Sequence, residues 1–284
     1  SLNLAKYDEW KNTDVVEIAT YFLDGVMEEF ITKTNGKDSM VRTHRHAKKG
    51  RALGLGVMGW HTFLQQRDLP FNSIASTAWT HTIFSQIKTQ AEAASRKLAE
   101  EYGEPLWCRG TGMRNTHLLA IAPTVSNSRI SSCSAGIEPQ PANVYVFNGA
   151  KGTFIVKNHE LEKVLDKKGK NKNKVWDQIL ADNGSVANLS SDILTDDEKE
   201  VFLTFPEINQ LGLVQQAAIR QNYIDQTQSL NVAFDPTDSP KWINQVHMEA
   251  HRLGIKTLYY LRTDSVIKGD LGSRTAEDCL ACDG

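Results

Sequence analysis

Two long stretches of the chain place apolar residues at the spacing of an α-helix. In the first, residues 14–31, the recurring apolar positions are Val15, Ala19, Phe22, Val26 and Phe30. In the second, which precedes Gly103, they are Ile83, Phe84, Ile87, Ala91, Ala94 and Leu98. Steps of three and four residues put these side chains on one face of a helix. Both stretches are therefore predicted to be helices packed against a core, and the second is predicted to end at Gly103.

Short, wholly apolar runs lie between the helical stretches and predict buried strands. Residues 116–122 (THLLAIA) end at Pro123, and residues 255–261 (IKTLYYL) form a second such run. Residues 144–147 and 153–156 can pair as a hairpin. Helices that alternate with short, fully apolar strands are typical of the α/β class. The predicted fold class is α/β.

Composition and charge exclude several classes of protein. The chain has 284 residues and a formal net charge of -2, which does not favour a nucleic-acid partner. No apolar run approaches the roughly 20 residues of a membrane span, so no membrane partner is expected. The four cysteines are two isolated residues and one CxxC pair, which is not a disulfide framework. With no basic-then-apolar leader at the start, these features predict a cytoplasmic protein.

The ends of the chain have distinct characters. Residues 1–5 (SLNLA) have the pattern of the inside of a structural element, so we expect the chain to be part of something longer or half of a split protein. Residues 264–284 are polar, contain three glycines and have no periodicity. We predict a flexible tail there and a separate folded unit over residues 1–263.

A candidate phosphate-binding loop follows the strand predicted at residues 116–122. Pro123, Thr124, Val125, Ser126 and Asn127 stand between this strand and a probable helix start. Hydroxyl groups and free backbone N–H groups at such a junction suit a phosphate group. An ordinary helix-capping loop uses the same residue types, so the residues alone leave both interpretations open.

A glycine pattern offers a different function. Residues 54–59 (GLGVMG) match the GxGxxG pattern of dinucleotide-binding proteins. In such proteins the glycines follow a buried strand, and an acidic residue lies about 20 residues further on. Here the preceding residues are basic and polar, and residues 78–80 (AWT) contain no acid. A nicotinamide-dependent dehydrogenase is therefore only an alternative, and we expect the glycines to allow close helix packing.

Two adjacent tyrosines and a terminal cysteine pair are the remaining candidates. Tyr259 and Tyr260 end the strand predicted at residues 255–261, where buried tyrosines are usually core residues with a hydroxyl partner. Cys279 and Cys282 form a CxxC that can be a redox dithiol or half of a zinc site. Zinc needs four ligands, and the sequence offers no second cysteine pair. The eight histidines do not cluster, so no metal site is expected.

The order of these motifs resembles the C-terminal region of the class I ribonucleotide reductase large subunit, most closely its bacteriophage branch. The stretches that carry the resemblance are residues 1–4 (SLNL), 51–57 (RALGLGV), 114–119 (RNTHLL), 122–128 (APTVSNS), 136–139 (GIEP), 256–260 (KTLYY) and the terminal cysteine pair. The resemblance covers nearly the whole chain. It implies that residues 1–263 are the C-terminal part of a ten-stranded catalytic α/β barrel built around a finger loop.

The resemblance also implies a role for each candidate residue. Residues 123–127 would bind the diphosphate of a ribonucleoside diphosphate. Tyr259 and Tyr260 would pass a radical from the small subunit to a finger-loop cysteine. Cys279 and Cys282 would re-reduce the active-site disulfide and then be reduced by thioredoxin or glutaredoxin. The oxidoreductase reaction replaces the ribose 2′-OH by hydrogen and supplies deoxyribonucleotides for DNA replication.

Several parts of the family machinery have no counterpart in this sequence. The finger-loop cysteine and both active-site disulfide cysteines are absent, since Cys108 and Cys133 do not stand in the matching contexts. We therefore expect a chain that works only with a polypeptide carrying the N-terminal portion and with the small subunit, in the host cytoplasm if a phage encodes it.

No cofactor is expected in this chain. The di-iron centre and tyrosyl radical belong to the small subunit, and nucleotide effectors belong to the N-terminal portion. The alternative is an inactive, non-enzymatic remnant.

Overall fold

The computed structural model describes residues 1–149 and 152–263. Its α-helices within these residues are α1 (Tyr7–Trp10), α2 (Val15–Thr34), α3 (Val41–Gly50), α4 (Trp60–Gln65), α5 (Ile74–Tyr102), α6 (Val125–Ile130), α7 (His159–Lys167), α8 (Asn173–Ala181), α9 (Asp196–Val201), α10 (Gln210–Gln221) and α11 (Pro240–Arg252). Its strands are β1 (Leu2–Asn3), β2 (Val57–Met58), β3 (Val144–Gly149), β4 (Gly152–Lys157), β5 (Val232–Phe234) and β6 (Leu261–Thr263). The chain is therefore α/β, as predicted.

Five segments of the chain lie side by side in the order in which they occur in the sequence. β1 pairs with β2 and β5 pairs with β6, both in parallel. Two single parallel bridges join the remaining neighbours, Leu55 with Leu119 and Ile121 with Gln228. Every connection between neighbouring segments contains at least one helix. This is a parallel array with helical crossovers, of the kind that forms part of an α/β barrel.

Glycine at position 56 allows two of these segments to approach closely. A Cβ atom at Gly56 would collide with the carbonyl oxygen of Ala120 on the next segment. The expectation that this glycine serves helix packing is wrong, because it lies where two strands meet. The first two glycines of the GxGxxG stretch lie within the segment that contains β2, and only Gly59 stands between that strand and α4. A dinucleotide fold requires the glycines in the turn between a strand and a helix, so the structure does not support a dehydrogenase.

The predicted helices at residues 14–31 and before Gly103 are confirmed as α2 and α5. The predicted apolar face of α2 is only partly buried, however, because Phe22 and Val26 are 68% and 48% exposed. The buried positions of this helix include Val16 and Asp24. Asp24 faces inward to meet a buried arginine, and this contact sets which side of α2 turns to the core.

A buried ion pair joins α2 to the end of α3. The Arg51 side chain donates to both carboxylate oxygens of Asp24, at 2.9 and 2.8 Å. Asn115 donates to Asp24 at 2.9 Å and to the Arg51 carbonyl oxygen at 2.9 Å. Breaking such a pair leaves an uncompensated buried charge, which typically costs about 3–5 kcal/mol. The contact therefore fixes the helices around the first two strands.

The predicted hairpin is confirmed and the last predicted strand is shifted. β3 and β4 are antiparallel, with Val144 level with Lys157. Residues 116–122 lie in the parallel array but make only single bridges. Residues 255–260 are not a strand, and the last strand within the described residues is β6. Among the described residues, no helix is both long enough and apolar enough to cross a bilayer.

Candidate functional site

The predicted loop and the tyrosine pair stand at one edge of the parallel array. Thr124 follows the carboxyl end of the third segment, and Tyr260 directly precedes β6 in the fifth. Backbone pairing fixes the register of the last three segments through two pairs of level residues, Ile121 with Gln228 and Val232 with Leu261. A turn at residues 134–139 hydrogen-bonds both to Thr124 and to Asn231, whose side chain accepts the Tyr260 N–H.

The predicted phosphate loop turns sharply at Thr124 and continues into α6. Thr124 has φ 51° and ψ 30°, a left-handed conformation that is strained for a β-branched residue by about 1–3 kcal/mol. Its backbone thereby starts a helix at Val125, whose first-turn amides point back toward the loop. Ser126 and Asn127 are exposed, while Pro123 is partly buried. Polar side chains and helix N–H groups are thus accessible beside the strand ends.

A turn at residues 134–139 packs over the same edge and holds the loop. The Gly136 N–H donates to Thr124 Oγ1 at 2.8 Å, and the Gly59 N–H donates to the Ser134 carbonyl oxygen at 2.7 Å. Gly136 has φ 47°, and a Cβ atom there would lie 3.2 Å from the Ala122 carbonyl oxygen. Glycine is needed at this position both for its backbone conformation and for the close approach.

The two tyrosine rings lie side by side. Their centroids are 4.1 Å apart with an angle of 46° between the planes. Tyr259 and Tyr260 are 46% and 43% exposed, so the alternative interpretation, two buried core residues, does not hold in this structure. Adjacent residues of a regular strand point to opposite faces, yet here both rings share one side. The pair precedes β6 and is not part of a regular strand.

Glu138 and Asn231 connect the turn to the tyrosine pair. The Asn231 N–H donates to Glu138 Oε1 at 2.9 Å, and the Tyr260 N–H donates to Asn231 Oδ1 at 3.0 Å. Desolvation raises the pKa of Glu138, although the hydrogen bonds from Asn231 and the charge of Arg262 oppose this shift. Sequence reasoning gave Glu138 no role. The sequence feature that could have marked Glu138 is its position as a single carboxylate between two apolar residues, Ile137 and Pro139, which are both buried in the structure.

Burial also shifts the pKa values of other described groups, among them one histidine and two cysteines. Desolvation lowers the pKa of His61 to about 4, although a backbone hydrogen bond with Val201 opposes the shift. Desolvation also raises the pKa of the Cys133 thiol to about 11 and, to a lesser extent, that of Cys108. Thiols with raised pKa values are poor nucleophiles near neutral pH. Both cysteines are therefore suited to structural roles.

Some of the predicted site residues cannot be placed. Cys279 and Cys282, with the tail predicted at residues 264–284, lie outside the described residues. Over residues 1–149 and 152–263, no group of three or more His, Cys, Asp or Glu side chains is arranged to hold a metal ion. The loop at 123–127 and the tyrosine pair are the candidates that the structure brings to one edge.

Comparison with known proteins points to a single family. The model of the ribonucleotide reductase barrel domain matches residues 1–107 and 108–261. The ribonucleoside-diphosphate reductase large subunit of Invertebrate iridescent virus 6 is 36% identical over 274 residues, covering 95% of this chain and 28% of the viral protein. The large subunit of Invertebrate iridescent virus 3 is 35% identical over 298 residues, covering 100% of this chain and 46% of that protein.

A solved structure agrees with these sequence relatives. The class Id ribonucleotide reductase alpha subunit of Actinobacillus ureae superposes with a TM-score of 0.86 and is 43% identical, covering 96% of this chain and 50% of that subunit. The chain thus spans between about a quarter and a half of the length of these relatives. Match over nearly every residue, together with the parallel array, confirms the predicted resemblance: the chain belongs to the ribonucleotide reductase barrel-domain family.

Proposed function

We propose that this chain supplies the C-terminal part of the catalytic barrel of a class I ribonucleoside-diphosphate reductase. The observation that carries the proposal is the turn at residues 134–139, which hydrogen-bonds both to Thr124 and, through Asn231, to the backbone of the tyrosine pair, whose rings are 4.1 Å apart. A reductase of this kind needs a substrate site and a radical path that converge. The reaction exchanges the ribose 2′-OH for hydrogen, releases water and oxidises two thiols to a disulfide.

The loop at residues 123–127 would hold the substrate diphosphate. The exposed side chains of Ser126 and Asn127, and the amides at the start of α6, offer donors to an anion. The hydrogen bond from Gly136 to Thr124 keeps the loop in place before substrate arrives. Such preorganisation lowers the entropy lost on binding.

The tyrosine pair would pass the radical toward the barrel interior. A phenol can give up an electron and a proton and later regain both, so a tyrosine serves as a relay without being consumed. The short distance between the Tyr259 and Tyr260 rings supports direct transfer between them. Half-exposed rings also leave a face open for a partner or for the rest of the barrel.

The partners follow from the same assignment. The small subunit would supply the di-iron centre and tyrosyl radical, and a polypeptide with the N-terminal portion of the large subunit would supply the finger loop and the nucleotide-effector site. Cys279 and Cys282 would transfer electrons from thioredoxin or glutaredoxin to the active-site disulfide. We expect this assembly in the cytoplasm, which in the case of a phage protein is that of the host.

Reconstitution tests the proposal. A polypeptide of these 284 residues, mixed with an N-terminal large-subunit polypeptide and the small subunit, is expected to convert a ribonucleoside diphosphate to the deoxy form with a dithiol reductant. Each mixture that omits one polypeptide is expected to be inactive, since an incomplete barrel exposes strand edges and lacks the reacting cysteines. Turnover by the 284 residues alone, or no turnover by the folded, assembled mixture, would contradict the proposal.

A further inference from the structure

The backbone is irregular at the tyrosine pair. In a regular parallel ladder, successive N–H groups point to alternate sides of a strand. Here the N–H groups of Tyr259 and Tyr260 both point to the neighbouring segment. Tyr259 donates to the Leu230 carbonyl oxygen at 2.8 Å, and Tyr260 donates to the Asn231 side chain at 3.0 Å. The next backbone bond, from the Val232 N–H to the Tyr260 carbonyl oxygen, is part of the normal ladder again.

This irregularity is the geometry of a β-bulge, in which two residues face one on the partner strand. A bulge turns adjacent side chains toward the same side, and the two rings accordingly lie in contact. The Leu230 carbonyl oxygen is already taken by Tyr259. The Asn231 side chain therefore supplies the acceptor that the Tyr260 N–H needs.

From this arrangement we propose that Asn231 and Glu138 are a positioning pair that holds the bulge and so keeps the Tyr259 and Tyr260 rings in contact for radical transfer. The inference rests on the relay assigned under the proposed function. Neither Asn231 nor Glu138 is itself a step of the relay. Both act on the rings through the Tyr260 backbone.

The role of Glu138 is to orient the Asn231 side chain. An amide has an oxygen that accepts and a nitrogen that donates, and the Tyr260 N–H requires the oxygen. A carboxylate only accepts, and Glu138, which receives the Asn231 backbone N–H at 2.9 Å, favours the nitrogen end of the amide over the oxygen end on its side. This preference keeps the amide oxygen turned to Tyr260, whose N–H it accepts at 3.0 Å. Asn231 is 3% exposed, so water offers no easy substitute for either bond.

The charges around the pair are compatible with this orientation. The positive charge of Arg262 lowers the pKa of Glu138, and its guanidinium lies 5.9 Å from the Tyr260 ring centroid. Glu138 also belongs to the turn whose Gly136 N–H holds Thr124. The pair thus connects the backbone of the tyrosines to the turn that holds the predicted phosphate loop.

The test exchanges the amide and the carboxylate between positions 231 and 138 in the assembled enzyme. Asn231→Asp replaces the amide nitrogen by an oxygen that Glu138 repels. The double variant Asn231→Asp with Glu138→Gln restores a donor, because a glutamine at position 138 can donate to the new carboxylate and still accept from the backbone N–H at 231. The matched control is Asn115→Asp, since Asn115 is also 3% exposed and also donates to a buried carboxylate, that of Asp24.

Two measurements are made on each variant. Hydrogen exchange of the Tyr260 amide, measured at single-residue resolution, reports the backbone contact. The values of kcat and KM for the ribonucleoside diphosphate report the relay and the substrate site separately. We expect Asn231→Asp to raise the exchange rate and to lower kcat at least about tenfold at pH 8, with KM within about twofold and a partial recovery of kcat at lower pH, where the carboxyl pair shares a proton. Asn115→Asp is expected to change neither readout.

The double variant decides between positioning and general damage. We expect it to return both the exchange rate and kcat to within about threefold of the wild type. Unchanged Tyr260 exchange in Asn231→Asp, increased exchange without loss of kcat, or a double variant no better than the single one would each overturn the inference. If Asn231→Asp does not fold, Glu138→Gln alone is used, and its Tyr260 amide must exchange faster. High turnover in Tyr259→Phe and Tyr260→Phe would instead overturn the relay itself, while the exchange data still decide the contact.

Discussion

Two hydroxyl groups distinguish the tyrosine pair from any other pair of packed aromatic rings. The rings of Tyr259 and Tyr260 already contact each other, so packing alone gives no reason for the phenol oxygens. Their half-exposed position also removes the need for a buried hydroxyl partner. At the scale of single residues, the hydroxyl is therefore the group whose removal separates a relay from a structural pair.

Tyr259→Phe and Tyr260→Phe remove only these hydroxyls. Each substitution is expected to abolish turnover of the assembled enzyme, since phenylalanine has no phenolic proton to give up. Substrate binding, small-subunit affinity and the thermal unfolding midpoint are expected to stay near their wild-type values, because the ring remains. Steady-state rates and binding isotherms measure these quantities. A variant that keeps most of its turnover would assign that tyrosine a structural role.

His61 is the buried base whose titration opposes folding in acid. The Gln140 N–H donates to His61 Nδ1 at 2.8 Å, so the neutral ring is the form that fits. The folded pKa of His61 is lowered to about 4 because its charged form is desolvated, whereas an unfolded histidine titrates near 6.5. Between these two pKa values the unfolded chain binds more protons than the folded one. The stability contributed by neutral, buried His61 is therefore complete above pH 6.5 and is lost as pH falls toward 4.

This protonation of His61 makes the free energy of unfolding depend measurably on pH. The pKa difference corresponds to at most about 3 kcal/mol, lost between pH 6.5 and 4. Chemical denaturation at several pH values is expected to show this decrease in the free energy of unfolding. In His61→Gln, which cannot titrate, the decrease between the same pH values should be smaller by that amount. Equal pH dependence in the two proteins would rule out a neutral buried His61.

Single residues could be proposed from the sequence where a motif named them, and not where only the fold brings them together. The loop at residues 123–127 and the tyrosine pair were proposed from their order along the chain, and their roles stay predictions. Glu138 and Asn231 are 93 residues apart, and nothing in their local sequence announces the hydrogen bond between them. The contact exists only because the turn at residues 134–139 packs against the strand end that carries Asn231.

Helices and strands were predicted well where hydrophobic periodicity governs them. α2, α5 and the hairpin of β3 and β4 appear where the pattern placed them. The rotation of α2 was not predictable, because a buried ion pair with Arg51 overrides the apolar stripe. The strand expected at residues 255–261 was misplaced, since a short apolar run does not reveal the bulge at Tyr259. Side-chain hydrogen bonds decided the outcome in both places.

The terminal cysteine pair is an element whose role remains a prediction. From Arg262 to Cys279 is 17 residues, which as a flexible coil would extend roughly 20–25 Å. We expect such a linker to carry a dithiol into an enclosed cleft and back to a protein reductant at high effective concentration. Attack on the active-site disulfide needs direct access of a thiolate to the sulfur atom. A protein reductant such as thioredoxin is too large to gain this access in an enclosed cleft.

Serine at either position tests this role. In the reconstituted enzyme, Cys279→Ser and Cys282→Ser are expected to lose multiple turnover with thioredoxin or glutaredoxin but to keep a burst of one turnover. A small dithiol that enters the cleft should restore part of the steady rate. Rapid-quench kinetics and metal analysis measure the outcome. Stoichiometric zinc in the wild-type protein, released by either substitution, would replace the shuttle assignment by a structural zinc site.

At the scale of the whole molecule, the alternation of helices and strands gave the α/β class, and the motif order gave the family. The order of the strands in space could not be read from periodicity, because hydrophobic patterns do not say which strands pair. The structure shows neighbours in space that follow one another in the sequence. The predicted phosphate loop and the tyrosine pair are brought to one edge of the array by this order and are linked there through the turn at residues 134–139 and Asn231.

The parallel order has a consequence for the way the chain folds. Paired residues are far apart in sequence: Leu2 pairs with Val57, Leu55 with Leu119, Ile121 with Gln228 and Val232 with Leu261. Each pairing closes a loop that includes whole helices, and chains with such remote contacts fold slowly. During synthesis the strand edge at Val232 stays unpaired until residues near Leu261 have left the ribosome. We therefore expect the nascent chain to expose a strand edge that favours aggregation, and chaperones or early docking of partner chains to reduce it.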